Sequence, residues 1–483
     1  MNWSDIGYNI RYAITPMRRH REYAQIMTDK TEDTTTEMRD ARYVMHPLTD
    51  ARANLQSGSL IIDRGEGIHV YDLAGNRYIE AMAGLWSVGL GFSEPRLIEA
   101  ATRQMTRLPY YHAFTHKGHG PMVDLAEMLV TMAPVPMSKA FFTNSGSEAN
   151  DTVIKMLWYR ANALGQPQRK KIISRHRAYH GITVASGSLT GITANHTSFD
   201  LPLPGFLHLT TPHYRREARP GESEEDFATR LAQELEDMIQ REGPETIAAF
   251  YGEPVMGAGG VIVPPATYWE KIQAVLARHD ILLVADEVIT GFGRTGRMFG
   301  CETYGIKPDI MVLSKQISSS YLPISAILLN EKVFEPIADQ THAIGTFGHG
   351  FTGGGHPVAA AVAIETIRII RERDLVAHVA ETGAWMQDRL ASLADHPLVD
   401  EIRGVGLVAA VELSAAMLSP AVPLAAGALG KRAALHLQNG GVISRAMGDA
   451  LALCPPMIID RDGIDAIVAA LRHALDRCLE ELA

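Results

Sequence analysis

Asp286 and Lys315 are the residues whose type and spacing say most about chemistry. Asp286 closes one apolar run, Ile281-Leu-Leu-Val-Ala-Asp286, and Lys315 closes another, Asp309-Ile-Met-Val-Leu-Ser-Lys315. Their separation, 315 − 286 = 29 positions, is about one β-loop-β unit, so both side chains can emerge at the same end of neighbouring parallel strands. A lysine amine forms a Schiff base with an aldehyde, and a carboxylate can hold a pyridine nitrogen protonated so that the ring accepts electrons. Pyridoxal phosphate uses both. Taken alone, the pair reads equally well as an ion pair between strand ends.

Three more segments end on the same kind of boundary. Lys139-Ala-Phe-Phe142 runs into Thr143-Asn-Ser-Gly-Ser-Glu-Ala-Asn-Asp151, small polar residues at the start of a helix, where bare N–H groups and the Ser145 and Ser147 hydroxyls suit a phosphate. The same residues also fit a plain helix cap, Ser followed by Glu. Tyr179, with His180 and Gly181, follows the run Lys171-Ile-Ile-Ser174, which suits an aromatic ring stacked on a flat cofactor. His176 and His180 stand four apart on a loop with no further ligand pattern, so no metal site is expected. Glu253, in Tyr251-Gly-Glu-Pro254, would add a third carboxylate to the rim, or be a solvated turn. Gly291-Phe-Gly-Arg-Thr-Gly296 fits the dinucleotide fingerprint G-x-G-x-x-G. Four residues separate Asp286 from its first glycine, and the segment after it is a poor helix opening, so NAD binding is not expected.

These residues need a scaffold of alternating strands and helices. The strand candidates are Ala140-Phe142, Lys171-Ser174, Ala248-Gly252, Ile281-Ala285, Ile310-Leu313 and Ile324-Leu329. Amphipathic stretches separate most of them, which argues for an α/β fold with a mostly parallel sheet flanked by helices. The alternation around Ala74-Gly-Asn76 reads as a hairpin. After Gly353-Gly354-Gly355 a helix is expected to about Arg373, then a smaller portion with strands at Gly406-Leu413 and Gly441-Ser444. The division expected is a polar, weakly ordered extension over 1–40, part of a small domain over 41–95, a large domain over 96–355, and the rest of the small domain over 356–483.

Bulk properties narrow the class. At 483 residues, 46% hydrophobic and 21% charged, the chain reads as a soluble globular protein of two or more domains. Acidic residues exceed basic ones by 55 − 45 = 10, which argues against a nucleic-acid partner. The longest apolar stretch, Val358 to Ile370, is broken by Glu365 and Arg368, so no membrane span is expected. Three cysteines without metal spacing suit a reducing cytoplasm.

In order along the chain, Asn144-Ser-Gly-Ser-Glu-Ala-Asn-Asp151, Tyr179-His-Gly181, Glu253-Pro254, Asp286-Glu-Val-Ile-Thr-Gly-Phe-Gly-Arg-Thr-Gly296 and Ser314-Lys315 resemble the class III aminotransferases of fold type I. The ω-transaminase branch, with its β-alanine–pyruvate and amine–pyruvate enzymes, is the most similar. Ala83-Gly-Leu-Trp-Ser-Val-Gly-Leu-Gly91 and Phe351-Thr-Gly-Gly-Gly-His-Pro357 fit as well. The resemblance spans roughly 45 to 480. It implies a seven-stranded sheet and pyridoxal 5′-phosphate, with amine donor and keto-acid acceptor, pyruvate first among acceptors, in a ping-pong reaction.

By the same resemblance, Lys315 is the Schiff-base lysine and proton shuttle, and Asp286 the partner of the ring nitrogen. Val288 and Tyr179 pack against the ring, with His180 beside them. Ser145, Gly146 and Ser147 form the phosphate loop, and Glu253 supports the aspartate. Thr352 would reach the phosphate of the other subunit, which implies a homodimer with shared active sites and leaves a tetramer open. Trp86, Tyr110 and Tyr111 would shape the substrate pocket, and Arg445 would pair with a substrate carboxylate. Two departures stand out: Gln316-Ile-Ser-Ser-Ser-Tyr321 replaces a commoner glycine-rich stretch, and Gly353-Gly354 stands where many relatives have a larger residue. The rival readings are a related enzyme of other chemistry (decarboxylase, aminomutase or racemase) and a catalytically idle cofactor-binding module.

Overall fold

The computed structural model describes residues 35–415 and 424–482. Two compact units emerge: the described part of residues 1–64 with 70–77, and residues 65–69 with the described part of 78–483. In the first, Thr36–Tyr43 is a helix, capped by the Thr35 side chain accepting from the Met38 N–H at 3.3 Å. This helix overlaps the last residues of the extension expected over 1–40, and a Thr cap with an acidic first turn favours its start. The expectation for residues 1–34 lies outside the described residues. The hairpin turn is also here, the Asp72 carboxylate accepting from the Asn76 backbone and side-chain N–H groups, both at 2.8 Å.

The second unit is built on a seven-stranded sheet. Its strands are β1 (Lys139–Thr143), β2 (Lys171–Arg175), β3 (Phe206–Leu209), β4 (Ile247–Gly252), β5 (Leu282–Asp286), β6 (Ile310–Leu313) and β7 (Ser325–Leu329). The spatial order is β1-β7-β6-β5-β4-β2-β3. Neighbours from β6 through β3 pair in parallel, and β7 runs antiparallel to both β6 and β1. Every residue of β4 through β7 is buried, which is why these strands read as continuous apolar runs. Because β7 reverses twice, β1 points the same way as the parallel strands, and the C-terminal ends of β1, β2, β4, β5 and β6 share one rim.

Strand β3 was not among the sequence candidates. Phe206-Leu-His-Leu209 is only four residues long and carries a histidine, too little signal against its flanking turns. The expected helix after the triple glycine spans Pro357–Glu372, capped by the His356 ring, and packs against helices Pro95–Arg107 and Gly120–Met132. A second, antiparallel sheet joins Val399–Val405, Val408–Leu413, Ala450–Leu453 and Arg445–Met447. Val399–Val405 escaped the pattern because Arg403 lies inside it. That arginine is buried against Glu401, Glu412 and the Gly260 carbonyl. Parallel pairing of Ile79 and Glu80 with Val442 and Ile443 ties the N-terminal hairpin's second strand to the C-terminal portion. Gly291–Gly296 forms turns and a bend, and the short helix Gly300–Tyr304 begins four residues after the last glycine, so the glycines do not themselves open a helix.

Candidate active site

On the rim, the helix Gly146–Ala163 starts three residues after β1. Ser145 caps it, its hydroxyl accepting from the Glu148 N–H at 3.2 Å, and Glu148 reaches back to the Asn144 N–H at 2.8 Å. A helix's first N–H groups have no partner within it, and its N-terminus carries partial positive charge. Gly146 and Ser147 stand in this first turn and line a cavity of about 360 Å3. Tyr179, His180, Glu253, Asp286, Val288 and Lys315 line the same cavity. Nine of the ten residues expected to hold the cofactor thus converge, these eight with Ser145, and Thr352 does not.

Asp286 is held by donors on both oxygens. Oδ1 accepts from the Val288 N–H at 3.1 Å; Oδ2 accepts from Asn150 Nδ2 at 3.0 Å and faces His180 Nδ1 at 2.8 Å. Asn150 donates to the His180 carbonyl as well, and its Oδ1 accepts from the Tyr251 hydroxyl at 2.7 Å. The direction of this chain follows from chemistry. Carboxylate and carbonyl only accept, so the Asn150 amide must turn its NH2 toward them, and Tyr251 must donate. All four side chains are buried. Asn150 and Tyr251 were not anticipated: they lie 286 − 150 = 136 and 286 − 251 = 35 positions from Asp286, and no local spacing signals the contact.

Lys315 sits two residues beyond β6, where Asp286 pairs with Val312 across β5 and β6. Its backbone is left-handed at φ 47°, an uncommon state for a residue with a side chain. Burial pushes the Lys315 amine down to about 8, opposed by the Asp286 and Glu253 charges. About a tenth is therefore the free, nucleophilic amine at pH 7 and about half at pH 8. Uptake of an aldehyde cofactor by the stripped protein should accelerate as pH rises and level off above about 8; a rate flat from pH 6 to 9 would contradict this, and stopped-flow absorbance reads it. Burial also raises the Glu253 carboxyl. It accepts from the Tyr179 N–H at 3.1 Å and the Gly257 N–H at 3.0 Å, so it fixes the backbone that carries Tyr179.

Trp86 does not line the cavity but backs it, buried at 1% exposure in one cluster with the cavity residues Val255 and Ile289. Its φ is 65° and that of Ala83 is 47°. The bend is braced by the Glu80 carboxylate, which accepts from the Gly84 N–H. Burial lifts the Glu80 carboxyl to about 7. With a raised folded pKa, the native state holds the proton longer than the unfolded chain, so Glu80's contribution to stability declines as pH rises from about 4.5 to about 7. Glu80→Gln should flatten that part of the melting-temperature profile, as scanning calorimetry would show. Arg445 is half-buried on its strand and acts electrostatically on Tyr179 and Lys315.

Tyr110 and Tyr111 are exposed and outside this cavity. The Tyr110 hydroxyl donates to the Thr352 carbonyl at 2.9 Å. Beside them, Phe114 and Phe351 line a second cavity of about 770 Å3.

The model of the family "Aminotransferase class-III" matches residues 51–475. The chain belongs to the class III aminotransferases. This aminotransferase is 46% identical over 470 residues, 97% of its own chain and 91% of the other, to a probable γ-aminobutyrate transaminase 3, mitochondrial, of Oryza sativa subsp. indica. It superposes at a TM-score of 0.92 on the ω-transaminase of Pseudomonas jessenii in complex with PMP, 61% identical, over 93% of this chain and 99% of that one. A thermostable ω-transaminase engineered for bulky amines is similar too, at 60% identity, TM-score 0.92, 93% of this chain and 100% of that one. It carries substitutions at a tryptophan, at a phenylalanine 28 residues on and at an arginine 331 residues further.

The aminotransferase transfers amino groups with pyridoxal phosphate, and its cavity fits that cofactor. One end is the first turn of a helix, where a phosphate finds N–H groups. The other holds a buried carboxylate with donors on both oxygens, and an amine of lowered basicity stands beside it. No helix among the described residues is long and apolar enough to cross a membrane.

Proposed function

We propose that this aminotransferase carries the amino group of an amine or ω-amino acid to pyruvate in two half-reactions, with Lys315 as the residue joined to the cofactor. The observation that carries the reading is the buried Lys315 amine, pushed down to about 8 beside Asp286 at the ends of adjacent strands. When bound, pyridoxal phosphate supplies an aldehyde that takes amines and a ring that spreads the electron pair left by a broken Cα–H bond. Lys315 takes that proton and returns it. Asp286 keeps the ring nitrogen protonated, and His180 and Asn150 hold Asp286 in place. Ser145, Gly146 and Ser147 bind the phosphate, while Tyr179 and Val288 pack against the ring and exclude water. Glu253 positions Tyr179.

Trp86 shapes the pocket wall, and Arg445 pairs with a substrate carboxylate. In support, 114 − 86 = 28 and 445 − 114 = 331, the spacings of the three positions altered in the bulky-amine variant. Phe114 joins them as a residue that the sequence reading had not singled out. Thr352, Tyr110, Tyr111 and Phe114 stand apart from the cavity of their own chain, which suits a homodimer in which they complete the partner's site. A cytoplasmic location suits three buried, unpaired cysteines.

Arg445→Ala should raise KM for carboxylate-bearing donors such as β-alanine by about 10- to 100-fold, the worth of one charge-assisted pair. KM for an uncharged arylamine should stay within about threefold, as steady-state kinetics on both would show. The test of the whole reading is the visible spectrum of the purified holoenzyme. Its yellow band should bleach with alanine and return with pyruvate. A band indifferent to alanine and to every other amine tried would refute the proposal.

A further inference from the structure

The stretch Gln316–Tyr321, where the chain departs from its family's glycine-rich pattern, reaches across to the segment that follows Trp86. Gln316 Oε1 accepts from the Gly89 N–H at 2.8 Å, and the Ser319 hydroxyl accepts from the Leu90 N–H at 3.0 Å. The Tyr321 hydroxyl accepts from the Glu94 N–H at 2.6 Å and donates to the Gly91 carbonyl at 2.8 Å. Four bonds from three side chains therefore fasten Gly89–Glu94, partners that lie 227 to 230 positions away in sequence. The fit leaves no slack: a Cβ on Gly89 would stand 2.2 Å from Gln316 Oε1. Gln316, Ser319, Leu90 and Glu94 are buried.

The price is backbone conformation. Ser319 and Ser320 both adopt left-handed φ, 49° and 55°, where glycine is at ease and serine is not. A glycine would relieve this but could not supply the hydroxyl that holds Leu90. One end of the stretch is the left-handed Lys315. The other runs into Leu322, Pro323 and Ile324, which line the cavity. On the opposite side Gly89 follows Trp86 by three residues, and its carbonyl accepts from the Met457 N–H at 2.8 Å. The clamp thus joins the Lys315 loop, which runs into the cavity lining, to the segment that follows Trp86, whose ring backs the cavity.

We propose that Gln316, Ser319 and Tyr321 are specificity-determining positioning residues: they lock the Trp86–Glu94 segment to the Lys315 loop and so set how large an amine side chain the cavity admits. The inference rests on the reading of Trp86 as a pocket wall. A rigid wall rejects a bulky donor by sterics while leaving a small one untouched, so loosening it must act on the two donors unequally.

The test uses the holoenzyme of Tyr321→Phe, which removes one hydroxyl and keeps the ring, and of Ser319→Gly, which removes the other and relaxes the backbone. Hydrogen exchange at the Leu90 and Glu94 amides is read beside KM and kcat for isopropylamine and 1-phenylethylamine. The expected result is exchange at least about tenfold faster at the amide that loses its acceptor. The ratio of the two KM values should shift by at least about fivefold, with kcat for isopropylamine within about twofold. Exchange unchanged in both variants, or both amines altered by the same factor, would overturn the clamp. If the wild-type enzyme turns over neither amine, it is the pocket reading that fails, and exchange alone then judges the clamp.

Discussion

Replacing Lys315 by alanine is expected to lower kcat by at least about 10^4-fold, because in the proposed reaction one side chain supplies both the nucleophilic amine and the proton shuttle. The fold should survive. Lys315 makes no ion pair among the described residues and its amine is buried at a cost, so removing it takes away a desolvated group rather than a structural bond. The melting temperature of the stripped variant should therefore match or exceed that of the stripped wild type. Added cofactor should still enter the cavity, because the phosphate-binding turn and Asp286 are untouched, but the absorption of the lysine-linked form should be missing. Single-turnover kinetics with a radiolabelled amine checks the first statement, and a spectrum checks the last. Activity within tenfold of wild type would remove Lys315 from the chemistry.

Asp286→Asn is expected to cost about 10^3-fold or more in kcat, with a smaller loss of cofactor affinity. Charge is one reason: a neutral amide cannot hold a ring nitrogen protonated. Geometry is the other. Both Asp286 oxygens face donors, Val288 N–H on one side and Asn150 with His180 on the other. Whichever way the new amide turns, its NH2 meets a donor in a buried site, and an unmade buried hydrogen bond costs about 1–3 kcal/mol. Tyr251→Phe probes the same chain from its far end and should act more mildly, since only the orientation of Asn150 is freed. Equilibrium dialysis of the cofactor, together with kcat, separates the two contributions. An Asp286→Asn enzyme with unchanged kcat would contradict the proposed role.

The residues legible from sequence share one physical feature. Tyr179, Glu253, Asp286 and Lys315 each follow a buried apolar run, and a parallel sheet gathers the ends of such runs on one rim. Local pattern and tertiary position are then the same information. Ser145, Gly146 and Ser147 were legible for a related reason, since a strand running into small polar residues and a helix announces its own N-terminus. The antiparallel turn of β7 left this logic intact because β1 reverses back again.

Other contacts had no local trace. Asn150 reads as an ordinary residue on a helix, yet it steers Asp286 because β5 lies under that helix. Arg403 makes Val399–Val405 look like a solvated loop, and only Glu401, Glu412 and Gly260 reveal why its charge can be buried. Gln316–Tyr321 was visible as a departure from the family pattern, but not what it holds. What the sequence by itself determined was most of the strands, the residue types at their ends and hence the family. Only the tertiary structure decided which groups orient the reactive ones and how the cavity walls are joined. Periodicity and capping are interactions between near neighbours in the chain; hydrogen bonds such as Gly89 to Gln316 close loops of over two hundred residues, and nothing short of the folded chain brings their ends together.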